Sequence, residues 1–252
     1  MSSSILFHVV IFCFLIISIW ESRRRLTVKT KSQQIRIPNV LVLIIVISLG
    51  VLATLGFTIL GPRLFVLWYM KAAFSALLLG HALWLGMNQK LHIKLFWIGI
   101  ALLLIGARLL YPTVFTHNLF IFFSLLWFGP FFTQMKLLTR KRFVIISLIW
   151  FAYDIIYVWL TPLADAVIGT TEAIGFPLSV AIGDQFMGSA DLLWANCFLS
   201  LVTSVRKQRI GIAGLMLSNI GLSIFAAHTP DLTIFPLLVL WVPIGIMVLR
   251  AR

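Results

Sequence analysis

Asp154 and Asp191 are acids set in oil. The first lies in the run WFAYDIIYVW and the second in MGSADLLWAN, and the chain holds only seven acidic residues in all. A carboxylate in hydrocarbon loses its hydration, so it persists there with a partner and usually with a function. The plainer reading is a carboxyl held neutral, or paired with Lys71 or a polar side chain, for packing alone. Helix rise compares their depths. Asp154 lies roughly 18 Å along a helix from Arg142, at about 1.5 Å per residue. Asp191 lies roughly 22 Å from Arg206 by the same rise. Asp184 lies roughly 33 Å from Arg206, at the outer edge of the membrane. Asp154 and Asp191 therefore reach similar depth on consecutive antiparallel helices, and they meet if those helices pack. Two carboxyls facing each other in a low dielectric do not both ionise easily. They share a proton, so one serves as base while the other serves as acid. Such a pair activates a water against an amide carbonyl and protonates the leaving group. That chemistry is peptide hydrolysis by an aspartyl dyad.

The elements that must position these acids are membrane helices. The chain is 61% hydrophobic and 11% charged, with a mean hydropathy of +1.07. A soluble domain of this length needs more polar surface, whereas lipid solvates the outer face of a multi-pass protein. Backbone polar groups in hydrocarbon must be satisfied internally, and the apolar runs are continuous rather than alternating, so the spans read as helices. Nine are expected, near 5–20, 39–60, 64–87, 93–111, 117–137, 143–160, 179–205, 210–228 and 232–249. The fold class is all-α: one polytopic transmembrane bundle over residues 1–252, with spans one to five in 1–137 and spans six to nine, carrying the acids, in 138–252.

The formal net charge is +13. Its Lys and Arg residues sit in short clusters between apolar runs, where lipid head groups and topology account for them and nucleic acid does not. All but Arg63, Lys71 and Arg108 fall in alternate connections or the tail. The positive-inside rule then puts the N-terminus outside and the C-terminus in the cytoplasm, which an odd number of spans satisfies. The first run is followed by Arg23, Arg24 and Arg25 and has no basic residue before it, the wrong polarity for a cleaved leader, so it reads as a retained span. Cys13 and Cys197 lie in apolar runs and give neither a disulfide framework nor metal spacing. No cofactor or metal is expected.

With these positions in view, the sequence resembles the intramembrane aspartyl proteases that include presenilin and signal peptide peptidase. That family has nine spans, Tyr-Asp in span six, Gly-x-Gly-Asp in span seven and Pro-Ala-Leu in span nine. Here span six carries Tyr153-Asp154, span seven Gly188-Ser189-Ala190-Asp191, and span nine Pro236-Leu237-Leu238. Pro236 lies roughly 21 Å from Arg250, so all three elements share one depth. Ala190 stands where the family has its second Gly, and Leu237 where it has Ala. A competing alignment uses Ala181-Ile182-Gly183-Asp184, which keeps Gly directly before Asp; depth disfavours it. The resemblance implies that Asp154 and Asp191 are the dyad, that Tyr153 packs beside it, and that Gly188 lets the backbone approach substrate. It implies that Pro236, Leu237 and Leu238 shape the cleft. It also implies a transmembrane peptide substrate, such as a remnant signal peptide, in the orientation of signal peptide peptidase. In that family the region matching Thr161–Pro177 engages substrate as an added strand; here Gly169, Gly175 and Pro177 also fit a plain flexible connection.

Two other readings use the same residues. A proton-coupled transporter would relay protons through Asp154 and Asp191, but nine unequal spans show no inverted repeat. A catalytically inactive protease-like protein would keep the architecture alone. Lys71 and Arg108 lie near span ends where long side chains snorkel, and His81 reads as a neutral core residue. No metalloprotease His-Glu pattern, no Gly-x-Ser-x-Gly and no phosphate loop occurs.

Overall fold

The computed structural model describes residues 3–26, 70–87, 89–160, 178–183, 185–229 and 237–251, with isolated positions 38, 44, 48, 55, 59, 61 and 169. Apart from those isolated positions, the expected second span, the start of the third, the Thr161–Pro177 connection, Asp184 and Pro236 lie outside the described residues. The described chain is mostly helical, and 5 of its helices are long and apolar enough to cross a membrane.

In chain order the helices are α1 (Ser3–Leu26), α2 (Lys71–Gly86), α3 (Leu91–Leu110), α4 (Val114–Leu125), α5 (Phe128–Gln134) and α6 (Arg140–Ile155). After the strands β1 (Ser179–Ile182) and β2 (Gln185–Gly188) come α7 (Ser189–Leu201), α8 (Val205–His228) and α9 (Leu238–Arg250). Local chemistry sets several of these starts. Thr113 and Thr116 cap α4 reciprocally, each side chain taking the other's backbone N–H. The Thr139 hydroxyl accepts from Arg142 N at the start of α6. Helix α6 then widens into a π turn over Ile156–Leu160.

One segment departs from the all-α expectation. Residues 179–188, read as the outer half of span seven, form an antiparallel hairpin, and the helix begins only at Ser189. The physical reason lies at Gly183, whose φ of +59° is a left-handed turn that reverses the chain between SVAI and QFMG. Span five is also divided. Helices α4 and α5 are separated at Leu126–Trp127.

Helix α7 is the centre of the bundle. Every residue from Leu192 to Leu201 is buried except Leu193, and α1, α4, α5, α6 and α9 all pack against it. Close approach is achieved with glycine. A Cβ on Gly129 would stand 2.5 Å from the Asn196 carbonyl oxygen, and one on Gly245 would stand 2.5 Å from the Trp194 ring. Polar pins fix the register of these contacts. Asn196 accepts from Gly129 N at 2.7 Å and donates to Leu126 O at 2.9 Å, so it satisfies the backbone groups freed by the α4–α5 break. Trp194 donates its indole N–H to Ser147 Oγ at 2.9 Å, tying α7 to α6 in the interior.

Candidate active site

The site forms where α6, α7 and α9 pack against one another. Asp191 is the third residue of α7, with Gly188 as the helix N-cap. From that position its carboxyl turns back and accepts the Gly188 backbone N–H, which is the returning half of a capping box. Asp154 lies near the end of α6. Its carboxyl accepts from the backbone N–H of Leu238, the first residue of α9. Each acid therefore sits at a helix N-terminus, one at its own and one at a neighbour's, where unpaired N–H groups carry partial positive charge.

The structure places the two acids on helices that pack against each other. Asp154 lies within electrostatic range of Asp191, and both side chains are only partly exposed. The Oδ2 atom of Asp154 is sealed from solvent and has no hydrogen-bond partner among the described residues. A sealed carboxyl oxygen with no donor facing it is held at least cost when protonated.

The other expected site residues fall around this pair. Gly188 borders Asp191 directly: a Cβ there would be 3.0 Å from Asp191 Oδ2. Leu237 and Leu238 are buried, and Leu238 supplies the N–H on Asp154. Tyr153 stands on the bundle surface, 52% exposed, within electrostatic reach of Asp154. Pro236 and the alternative acid Asp184 lie outside the described residues.

The hairpin is held by side chains outside the expected site residues. Ser189 N donates to Leu178 O, so the hydrogen-bonded rungs fall at 178–189, 180–187 and 182–185. The groups of Ser179, Ala181, Phe186 and Gly188 then point away from the hairpin. On the β1 side they meet α4. Asn118 donates to Ala181 O at 2.7 Å and accepts from Ala181 N at 3.2 Å. His117 Nε2 is 3.0 Å from Ser179 O. Arg108 donates to His117 Nδ1 at 2.9 Å, which fixes the imidazole as neutral with its proton on Nε2. Arg108, read from sequence as a snorkelling side chain, is buried in this network. On the β2 side, Gly188 N goes to Asp191, and Phe186 N and O have no partner among the described residues. The signal in the sequence is the Gly183-Asp184 pair between two short apolar segments.

Among the described residues no three His, Cys, Asp or Glu side chains gather as metal ligands. No family model matches the chain, and comparisons with the curated proteins and with the solved structures find no relative.

Proposed function

We propose that this protein is an intramembrane aspartyl endopeptidase of the presenilin and signal peptide peptidase type, cleaving single-span peptides with Asp154 and Asp191. The observation that carries the reading is the placement of these two carboxyls at the α6–α7–α9 junction, within electrostatic range of each other and each on a backbone N–H at a helix start. One carboxylate takes a proton from water as the water attacks the scissile carbonyl. The other, protonated, hydrogen-bonds that carbonyl oxygen, and the leaving nitrogen collects a proton as the C–N bond breaks. The open edge of β2 supports the substrate side of this reading. An extended peptide bonded to Phe186 has its residue two places on about 6.7 Å away, level with Gly188 and the Asp191 carboxyl.

The finer architecture is part of the proposal: nine spans, with the N-terminus outside and the C-terminus in the cytoplasm. Arg23 at the end of α1 donates to Gln208 at the start of α8, and Lys207 donates to Ala251 O after α9. The ends of these three helices thus share one face, and Arg23, Arg206, Lys207, Arg209 and Arg250 collect there, as a cytoplasmic face requires.

The test reconstitutes the full chain with a labelled single-span peptide and compares wild type with Asp154→Asn and Asp191→Asn. Each substitution is expected to reduce cleavage to background while the protein stays folded. Cleavage that survives either change removes the dyad. Proton flux without cleavage, lost in the same two variants, selects the transporter instead. Tagging that finds the C-terminus outside overturns the orientation.

A further inference from the structure

We propose that Asn118, with His117 and Arg108 behind it, acts as a surrogate strand that closes the β1 edge and thereby sets which peptide bond of the substrate reaches Asp191. The inference rests on the proteolytic reading and adds positioning residues to it.

A two-stranded hairpin has two open edges, and either will accept an extended chain. Here the edges are treated differently. Asn118 makes with Ala181 the same pair of bonds that a neighbouring strand residue would make, one donated and one accepted. Two residues back, His117 takes the next outward group, the Ser179 carbonyl. Arg108 holds His117 from the far side, leaving Nε2 to face the strand. Three buried polar side chains on α3 and α4 are thus spent on three backbone groups of one strand edge. Unpaired, those groups would be costly in a low dielectric. The β2 edge is covered only at Gly188 N, by the Asp191 carboxyl; Phe186 is 45% exposed, and its N and O make no backbone bond outward among the described residues.

This asymmetry has a consequence for register. An added strand keeps its side-chain faces only when it slips by two residues, because a slip of one exchanges them. Closing β1 leaves one docking edge, and anchoring Ala181 and Ser179 prevents the hairpin itself from sliding against α4. The bond delivered to the carboxyls is then single-valued. Released from Asn118, the hairpin gains a second edge and freedom to shift, and cleavage spreads to bonds two residues apart.

The experiment uses the full-length protein in nanodiscs, a labelled single-span peptide and mass analysis of the products. Wild type is expected to cut one principal bond. Asn118→Ala is expected to give a ladder of products differing by two residues, and His117→Gln, which retains a donor and an acceptor, to keep the wild-type bond. Asn118→Asp, which keeps the acceptor and loses the donor, serves if Asn118→Ala does not fold. A variant that cuts the wild-type bond alone, with only its rate altered, overturns the proposal and leaves the protease reading intact. Amide exchange in the peptide-free protein supplies an independent arm: Ala181 N–H is expected to exchange about tenfold faster in Asn118→Ala, the loss of one hydrogen bond. Should wild type cleave nothing, the protease reading falls, and unchanged exchange at Ala181 overturns the edge closure as well.

Discussion

Replacing Gly129 by alanine tests the packing on which Asp191 depends. The added Cβ would stand 2.5 Å from the Asn196 carbonyl oxygen, 2.6 Å from Ser200 Oγ and 2.7 Å from Asn196 Oδ1. The Ser200 hydroxyl can turn, at the expense of its 2.8 Å bond to Asn196 O. The carbonyl belongs to the backbone of α7 and cannot, so α5 and α7 must separate. Overpacking of this kind costs about 1–3 kcal/mol. Separation also stretches the Gly129 N–Asn196 bond of 2.7 Å, leaving a buried donor and acceptor poorly met, for about 1–3 kcal/mol more. Alanine returns about 0.4–1 kcal/mol through the unfolded chain. The net expectation is a loss of about 3 kcal/mol. Gly106 in α3 is the control, since a Cβ there meets nothing within 4 Å, and Gly106→Ala should be neutral or slightly stabilising. Reversible unfolding in detergent compares the two. Maleimide labelling of buried Cys197, in a Cys13→Ser background, reports whether α7 has become exposed next to Asn196. Equal stability of Gly129→Ala and Gly106→Ala, with Cys197 still protected, would refute the packing.

Three further outcomes follow from contacts around the acids. Ser147→Ala strands the Trp194 indole N–H in the interior, so stability should fall by about 1–3 kcal/mol in the same unfolding assay. Gly245→Ala drives a methyl into the Trp194 ring, whereas Gly221→Ala meets nothing within 4 Å; only the first should lower the unfolding midpoint, by about 1–3 kcal/mol in free energy. Gly188→Ala needs no unusual backbone, since φ is −59°, but sets its methyl 3.0 Å from Asp191 Oδ2. It should therefore reduce peptide cleavage by about tenfold or more through displacement of the carboxyl, with stability unchanged.

The helices could be read from the sequence because hydrocarbon imposes length and continuity on whatever crosses it. The runs within Arg140–Leu160 and Val205–His228 are predominantly apolar once past their basic starts, and both emerge as membrane-length helices close to their expected bounds. The acids were visible for the complementary reason: a carboxyl stands out against Leu and Phe. Segments that break the pattern were harder. SVAI and QFMG are apolar enough to pass for more of span seven, and only Gly183 and Asp184 separate them. Asn118 carries no spacing signal, because its partners are backbone groups 63 residues away. Arg108 lies at a helix end, where position alone cannot distinguish a side chain reaching for water from one buried against a histidine. Pairings that depend on backbone atoms of distant segments leave no trace in residue type.

Ala190, where the proteases that the sequence resembles have the second Gly of Gly-x-Gly-Asp, has a local explanation in the hairpin. A second glycine is needed where the backbone takes a conformation or an approach that a Cβ forbids. In this chain Ala190 lies inside the first turn of α7, with its side chain exposed. Alanine favours that helical turn over glycine. The positions that do need glycine are the two flanking the strand. Gly183 turns the chain with positive φ, and Gly188 leaves room for the Asp191 carboxyl against the N-cap. Small, permissive residues thus stand at the two ends of β2, one at the hairpin turn and one where the strand meets α7. Asp191 in turn depends on that junction, since the N–H that holds its carboxyl belongs to the last residue of β2. Its position is thus coupled through β2 and β1 to Asn118 and His117 on α4, so the acid is placed by the hairpin as much as by its own helix.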